Sequence, residues 1–323
     1  MTPAALLVAA LLPGAPLAAG SSSLSAAAAA SGRPPECSAS SRRALLRGPS
    51  VWDRARAPTL QRYCDLVARA QAQLATSPEA AKKAAEEAEL ALPGRAAPQA
   101  LLGRSLLALG MPGEAAAAFE RARALEPRSL EEPAALHAYA RVLLRTGKRD
   151  EALAAYRALV PRADLLGVAA ERATVLLEAA DASMAAAARD AQPGKRPHLE
   201  ETIAYLREAR QRAVSELAGN VGLLLALALD RAGDAAEADA ALHEAERTGA
   251  RLHPPALAFL AAPEDATALE ALSREGSDRA GAQKSWEAFL AGPGGKGPWA
   301  AEARARLDIV RRGGGGARVR APK

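Results

Sequence analysis

Few residues of this sequence have the spacing that a catalytic or metal-binding site requires. The four histidines lie far apart along the chain, at His137, His198, His243 and His253. A glutamate follows His243, but the zinc-binding helix motif needs a second histidine four residues after the first, and none is present. The histidines therefore do not predict a metal site.

The glycine-rich segment Gly292–Gly297 is similar to a phosphate-binding loop only in its glycines. The hydroxyl residue that should follow Lys296 is replaced by a glycine. Most carboxylates stand three or four residues from an arginine, as Glu120 does from Arg123, which is typical of solvated pairs on helix surfaces. We therefore expect no catalytic residue, no cofactor and no enzyme activity.

The beginning of the sequence has the pattern of a signal peptide. An apolar run, Ala4–Leu12, is followed by a Pro-Gly pair and by small residues near a possible cleavage point. The run is too short for a stable transmembrane span. We expect a signal peptide over residues 1–19 and a flexible Ser/Ala-rich linker over 20–50. Since no Lys or Arg precedes the run, cytosolic low-complexity sequence is the alternative.

The two cysteines, Cys37 and Cys64, bear on the compartment. An even count next to a candidate signal peptide favours one disulfide in an oxidising environment. The alternative is a pair of buried thiols without a bond between them. Two cysteines this far apart do not predict a zinc site.

Composition favours a helical protein. Aromatic residues make up 3% of the 323 residues, and alanine dominates the apolar half. This suits closely packed helices and not β-sandwiches, which favour aromatic and β-branched residues. The net charge is +5, yet 35 of the 42 basic residues are arginine, which a GC-rich genome also produces. No nucleic-acid-binding motif accompanies the charge, so we expect no nucleic-acid partner.

The clearest internal pattern is Ala96–Pro127. Leucines recur here at three to four residues before Gly110, and a second apolar face containing Phe119 follows until Pro127. Two antiparallel helices separated by a turn at Gly110 and Pro112-Gly113 explain both faces. The Leu-Gly, Ala-x3-Phe and terminal Pro positions resemble one tetratricopeptide (TPR) repeat of 34 residues. The resemblance implies an all-α, right-handed superhelical solenoid of antiparallel helix pairs.

The same spacing extends over much of the chain. Counting back 34 residues from Ala96 places an earlier, degenerate repeat start at Arg62. We expect repeats over residues 51–252, degenerate repeat and capping helices over 253–311, and a disordered basic tail over 312–323. Within the repeats, we expect Pro58 to end a short helix, and the segment 189–197 to be an insertion.

The fourth repeat departs most from the pattern. Its first helix is expected over residues 165–189, longer than in the other repeats, and its second over 198–218. A long insertion in a solenoid can carry a function-specific surface, or it can be a harmless protruding helix end.

The resemblance also implies where a partner would bind. In TPR proteins the first helix of each repeat lines a concave groove, and those positions here carry arginines with leucines between them. The arginine in position 157, on a second helix, is expected on the convex side. The expected groove residues are Arg104, Leu107, His137, Arg141, Leu144, Arg145, Leu227 and Arg231.

These observations favour a non-catalytic protein–protein interaction scaffold of the cell envelope, periplasmic or secreted, that binds a protein or peptide segment. One alternative is an envelope enzyme accessory or ligand-binding protein that uses the 189–197 insertion or the C-terminal helices. Another is a cytosolic regulatory TPR protein.

Overall fold

The computed structural model describes residues 34–38, 51–189, 196–213, 215–252, 260 and 262–313. Throughout these ranges the regular structure is helical, and no strand occurs in them. The α-helices are α1 (Pro35–Ser38), α2 (Val51–Gln73), α3 (Pro78–Ala91), α4 (Ala96–Ala108), α5 (Pro112–Leu125), α6 (Pro133–Arg145), α7 (Arg149–Leu159), α8 (Ala169–Ala187), α9 (Pro197–Arg212), α10 (Ser215–Ala232), α11 (Ala235–Arg247), α12 (Glu264–Arg274), α13 (Arg279–Ala291) and α14 (Ala300–Arg312).

Consecutive helices pack in pairs, and each pair packs on the next. The pairs are α2/α3, α4/α5, α6/α7, α8/α9, α10/α11 and α12/α13, and α14 packs on α13. Contacts also join first helices of successive pairs, such as α4 with α6. The expected all-α array of stacked helix pairs is therefore confirmed.

Glycine and proline make the turns between the two helices of a pair. Gly110 has a φ of +77°, a left-handed conformation that favours glycine at a helix end. Its amide donates to the Leu107 carbonyl at 3.1 Å, and the Met111 amide donates to the Leu106 carbonyl at 2.9 Å. Pro112 then occupies the start of α5, where a missing amide proton costs no helix hydrogen bond. The expected turn is confirmed.

Small residues bring the two helices of a pair close together. A Cβ placed on Gly103 of α4 would lie 2.9 Å from the Phe119 ring of α5, and that ring is fully buried. Phe119 also meets Tyr139 of α6 edge-on, with ring centroids 5.6 Å apart. One aromatic side chain therefore fills both the gap within its own pair and the gap to the next pair.

Helix α8 belongs to two hydrophobic cores. Val175 and Ala179 pack into the core shared with α4–α7, whereas Leu176 and Ala180 pack into the core that continues to α14. Because two faces of this helix are buried, it is apolar around most of its circumference. Its 19 residues exceed the 13 of α4 and α6, but α2 is longer, with 23 residues. The helix begins at Ala169 and ends at Ala187, within the expected range of 165–189.

Two further expected boundaries were wrong. Pro58 lies inside α2, which continues through it at the loss of the hydrogen bond that proline cannot donate. Helix α9 ends at Arg212 and not at residue 218, because Ala213 takes an extended conformation with ψ of 132°. The expected signal peptide, most of the linker, most of the 189–197 insertion and most of the basic tail lie outside the described residues.

Candidate functional site

An open cleft lies between the first helices of neighbouring pairs. Its volume is about 470 Å³, and its walls come from the residues just after α2, from α4 and α6, from Leu166 before α8, and from the first turn of α8. We call it the groove cleft. The residues predicted for a groove that line it are Arg104, Leu107, His137, Arg141 and Arg145.

Helix periodicity explains this gathering. His137, Arg141 and Arg145 follow one another at four-residue intervals along α6, so their side chains emerge on one face. The opposite face of α6 contains Tyr139 and Val142, which are buried in the core. On α4, Arg104 and Leu107 stand three residues apart and reach the same cleft from the neighbouring pair.

Glu178 of α8 contacts two residues that line the groove cleft, His137 and Arg141. Its Oε2 atom lies 2.7 Å from His137 Nε2 and accepts a hydrogen bond from the Tyr156 hydroxyl at 3.1 Å. Its Oε1 atom lies 3.1 Å from Arg141 Nε. Burial raises the pKa of Tyr156 well above its ordinary value, and the Glu178 charge and hydrogen bond raise it further. One carboxylate thus joins α6, α7 and α8.

Arg104 has a looser internal partner. Its guanidinium lies 3.8 Å from Glu132, just before α6. The Glu132 carboxylate also caps α6, because it accepts hydrogen bonds from the amides of Ala134 at 3.2 Å and Ala135 at 2.9 Å. The carboxylate that faces Arg104 is therefore already engaged by the helix end.

Two oppositely charged residues of the groove cleft differ from these. Arg145 of α6 and Glu171 of α8 both line the cleft and are both exposed. Within the described ranges, neither side chain forms an ion pair or a side-chain hydrogen bond. Leu144, also predicted for the groove, is half-buried against the core formed by α4–α8 and does not line the cleft.

Leu227 and Arg231 do not lie where the repeat pattern places them. Leu227 is 1% exposed and Arg231 4% exposed, inside the core shared by α10 and the C-terminal helices. Arg231 pairs with Asp265 of α12 and lies over the Trp299 ring, 4.6 Å from its centroid. The C-terminal helices cover the face of α10 that a continuous groove would use. As placed, these two residues cannot meet a partner at the groove cleft.

The sequence contained a signal for that burial. In α10 the residues from Val221 to Leu229 are apolar apart from a single glycine, without a polar face. A helix that is apolar all round is buried on all sides. Assigning Leu227 to an open groove from its repeat position alone ignored this pattern.

Sequence reasoning also missed a buried charge cluster at the C-terminal end. Arg306 of α14 donates from Nε to Asp230 Oδ1 at 2.6 Å and from Nη1 to Glu275 Oε2 at 3.1 Å. Glu275 also accepts a hydrogen bond from Trp286 Nε1 at 2.8 Å. Burial raises the pKa of both carboxyls, and the charge of Arg306 opposes that rise. The cluster fastens α14 to α10, α12 and α13.

The N-terminal cysteines lie together. Cys37 of α1 and Cys64 of α2 form a disulfide. Beside it, the buried Tyr63 hydroxyl donates to Glu36 at 2.7 Å. These two contacts hold α1 against the apolar face of α2, at the open end of the array.

The remaining histidines do not converge. His243 is exposed and contacts the Asp239 carbonyl of its own helix at 2.8 Å, and His253 lies outside the described residues. His198 stands in the first turn of α9, far along the chain from the groove cleft. In the part of the chain that the structure covers, no group of three potential metal ligands occurs, and no helix is long and apolar enough to cross a membrane.

Comparison with known proteins gives fold matches only. No family model matches the sequence, and no curated protein matches it significantly. MamA (residues 41 to the end) from Desulfovibrio magneticus RS-1 is 20% identical over 58% of this chain and 94% of its own, with a TM-score of 0.44. PilF from Pseudomonas aeruginosa is 16% identical over 77% and 97%, with a TM-score of 0.47.

The fold assignment rests on the helix pairs, their glycine turns and the close packing of Gly103 on Phe119. The chain has a TPR-like fold. In this TPR-like array the groove cleft lies between first helices, as the repeat resemblance implies.

On the surface of the TPR-like array, ion pairs join helices of neighbouring repeats. Arg157 of α7 makes a bidentate contact with Glu201 of α9, with Nε to Oε1 at 2.8 Å and Nη2 to Oε2 at 2.7 Å. Glu201 also accepts hydrogen bonds from Ser183 and Tyr205, both at 2.9 Å. These contacts, with Arg157 first, hold the pKa of Glu201 at about 2. Arg157 therefore joins two repeats.

Proposed function

We propose that this protein is a non-catalytic interaction scaffold that binds a segment of a partner protein in the groove cleft. The observation that carries the proposal is the convergence of five predicted groove residues, from two different repeats, on one open cleft. Arginine and leucine side chains side by side offer charge-assisted hydrogen bonds and apolar contact to the same segment.

A cell-envelope location belongs to the same proposal. The Cys37–Cys64 disulfide supports it, because disulfides persist in oxidising compartments and are rare in the cytosol. The predicted signal peptide over residues 1–19 supports it from the sequence.

Photo-crosslinking tests the proposed binding surface. A photoreactive amino acid is placed at Ala75, which lines the edge of the groove cleft and is exposed. Matched controls carry it at Ala117 of α5 or Ala154 of α7, which are exposed on second helices. These positions tolerate a large side chain because none of them is packed in the core.

The full-length protein is expressed in its native host and irradiated in intact cells. We expect a protein adduct from the cleft position and from neither control. An adduct formed equally from the controls, or from the control positions alone, would contradict binding in the groove cleft. An adduct in the cytosolic fraction alone would contradict the envelope location and leave the cleft assignment intact.

A further inference from the structure

The charges of the groove cleft are not equivalent. Arg141 is held by Glu178 with a distance of 3.1 Å, and Arg104 faces Glu132 at 3.8 Å. Each of these two arginines therefore has its charge balanced by a carboxylate of the same chain. A partner carboxylate that approached either arginine would compete with the internal carboxylate.

Arg145 and Glu171 of the groove cleft differ from Arg104 and Arg141. Both are exposed, both line the cleft, and neither has a side-chain partner among the residues that the structure describes. They stand on different helices, Arg145 in the last turn of α6 and Glu171 in the first turn of α8. The cleft thus offers one unpaired positive group and one unpaired negative group.

Helix position accounts for where these residues occur but not for their lack of partners. A cation in the last turn and an anion in the first turn are both favoured by the helix dipole. That preference needs no ion pair, and it leaves each side chain with hydrogen-bonding groups open to a ligand. Some arginines elsewhere on the surface do have carboxylate partners, such as Arg157 with Glu201 and Arg207 with Glu237.

Apolar side chains complete the surface. Leu166 and Leu107 line the cleft together with Leu74, which follows α2 directly. Leu166 belongs to the segment between α7 and α8, so it lies close in sequence to Glu171. The cleft therefore combines an apolar lining with two charged groups of opposite sign.

We infer that the groove cleft selects a partner segment of mixed charge, in which an acidic and a basic residue accompany an apolar one. The acidic residue pairs with Arg145 and the basic residue with Glu171, while the apolar side chain contacts the leucine lining. This inference rests on the proposed function, because it specifies which segment the cleft takes. It also separates Arg145 from Arg104 and Arg141, which the sequence analysis named together as groove residues.

The selectivity follows from charge complementarity. A purely acidic segment would meet Arg145 but would also approach Glu171, and like charges in contact disfavour binding. A purely basic segment would meet Glu171 and be repelled by Arg145. Only a segment with both signs satisfies both groups, and the internally balanced arginines add no net preference.

A display selection tests this inference. Random short peptides displayed on phage are selected against the full-length protein and against four variants: Arg145→Gln, Glu171→Gln, the exchange variant Arg145→Glu with Glu171→Arg, and Ala108→Trp. The last fills the cleft with a bulky side chain at an exposed position. Circular dichroism checks that every variant keeps its helices, which we expect because all the substituted residues are exposed.

We expect wild-type protein to enrich peptides that contain both an acidic and a basic residue, and Ala108→Trp to lose this enrichment. Arg145→Gln should lose the preference for the acidic residue, and Glu171→Gln the preference for the basic one. For one enriched peptide, each single variant should weaken binding about tenfold, the loss of one charge-assisted contact. The exchange variant should prefer a peptide with the acidic and basic residues interchanged.

The selection distinguishes failure of this inference from failure of the proposed function. If enriched peptides depend on an open cleft but carry charges of one sign only, or ignore both glutamine variants, the inference is overturned while binding in the cleft stands. If no enrichment is lost in Ala108→Trp, the groove cleft is not the binding surface, and the proposed function fails with the inference.

Discussion

Replacing Arg306 by leucine should destabilise the C-terminal half of the array more than any substitution on its surface. Arg306 is buried, with 11% of its side chain exposed, and it contacts two carboxylates that are themselves buried, Asp230 and Glu275. Leucine keeps much of the apolar volume but removes the positive charge. Both carboxylates then remain in a poorly hydrated site without their counter-charge.

The expected loss is about 3–5 kcal/mol of unfolding free energy at neutral pH, the usual effect of removing one partner from a buried ion pair. Acidification should recover part of it. Burial already raises the pKa of Asp230 and Glu275, and without Arg306 these pKa values rise further. A carboxyl whose pKa is raised in the folded state stabilises folding as pH falls, because the folded protein then binds the proton more tightly.

The assay is urea denaturation of the wild-type protein and the variant, followed by circular dichroism and by tryptophan fluorescence at several pH values. The fluorescence is informative because Trp286 and Trp299 both lie in the affected region. The matched control is Arg304→Leu, an exposed position on the same helix, where we expect a change of about 0.5 kcal/mol or less. A loss below about 1 kcal/mol with no pH dependence would refute the buried ion cluster.

Three further predictions concern the repeats and the N-terminal end. Gly103→Ala should lower the free energy of unfolding, measured by heat or urea, by about 1–3 kcal/mol because the new methyl group would press into the buried Phe119 ring. The control Gly113→Ala has open space around it and should be neutral or stabilising. Glu201→Gln should lower the free energy of unfolding by about 1 kcal/mol at pH values above 4.5, the ordinary pKa of the glutamate, and the figure is modest because Arg157 is half-exposed. The difference between the variant and the wild-type protein should disappear as the pH falls towards about 2, the pKa of Glu201 in the folded protein. Reducing the Cys37–Cys64 bond should lower the free energy of unfolding by at most about 3 kcal/mol, and mass measurement before and after alkylation should show two thiols only after reduction. The first account is contradicted if Gly103→Ala is as stable as the wild-type protein, and the second if the effect of Glu201→Gln does not change with pH. Free thiols without reductant would contradict the third.

The repeated helix pairs could be predicted because local signals specify them. The turn at Gly110 depends on residues close in sequence, and it is confirmed. The packing of Gly103 on Phe119, within the same helix pair, is also local. Pro58 shows where a local rule was overridden, since the helix tolerates the missing hydrogen bond.

The candidate site was predictable only where the repeat is regular. His137, Arg141 and Arg145 share a face because helix periodicity requires it. The internal partner of His137 and Arg141 could not be predicted, because Glu178 reaches them from the next repeat. The burial of Arg231 likewise depends on Asp265, which lies beyond the regular repeats. Contacts between distant segments, and not local pattern, determine which arginines remain open to a partner.

Hydrogen–deuterium exchange of the full-length protein, with and without the partner identified by crosslinking, tests the central claim most directly. Binding in the groove cleft predicts slower exchange in the last turns of α4 and α6 and in the first turn of α8, the segments that line it. It predicts unchanged exchange in α12 and α14. Protection confined to the C-terminal helices, or to the second helices of the repeats, would contradict the claim that this cleft is where the protein binds.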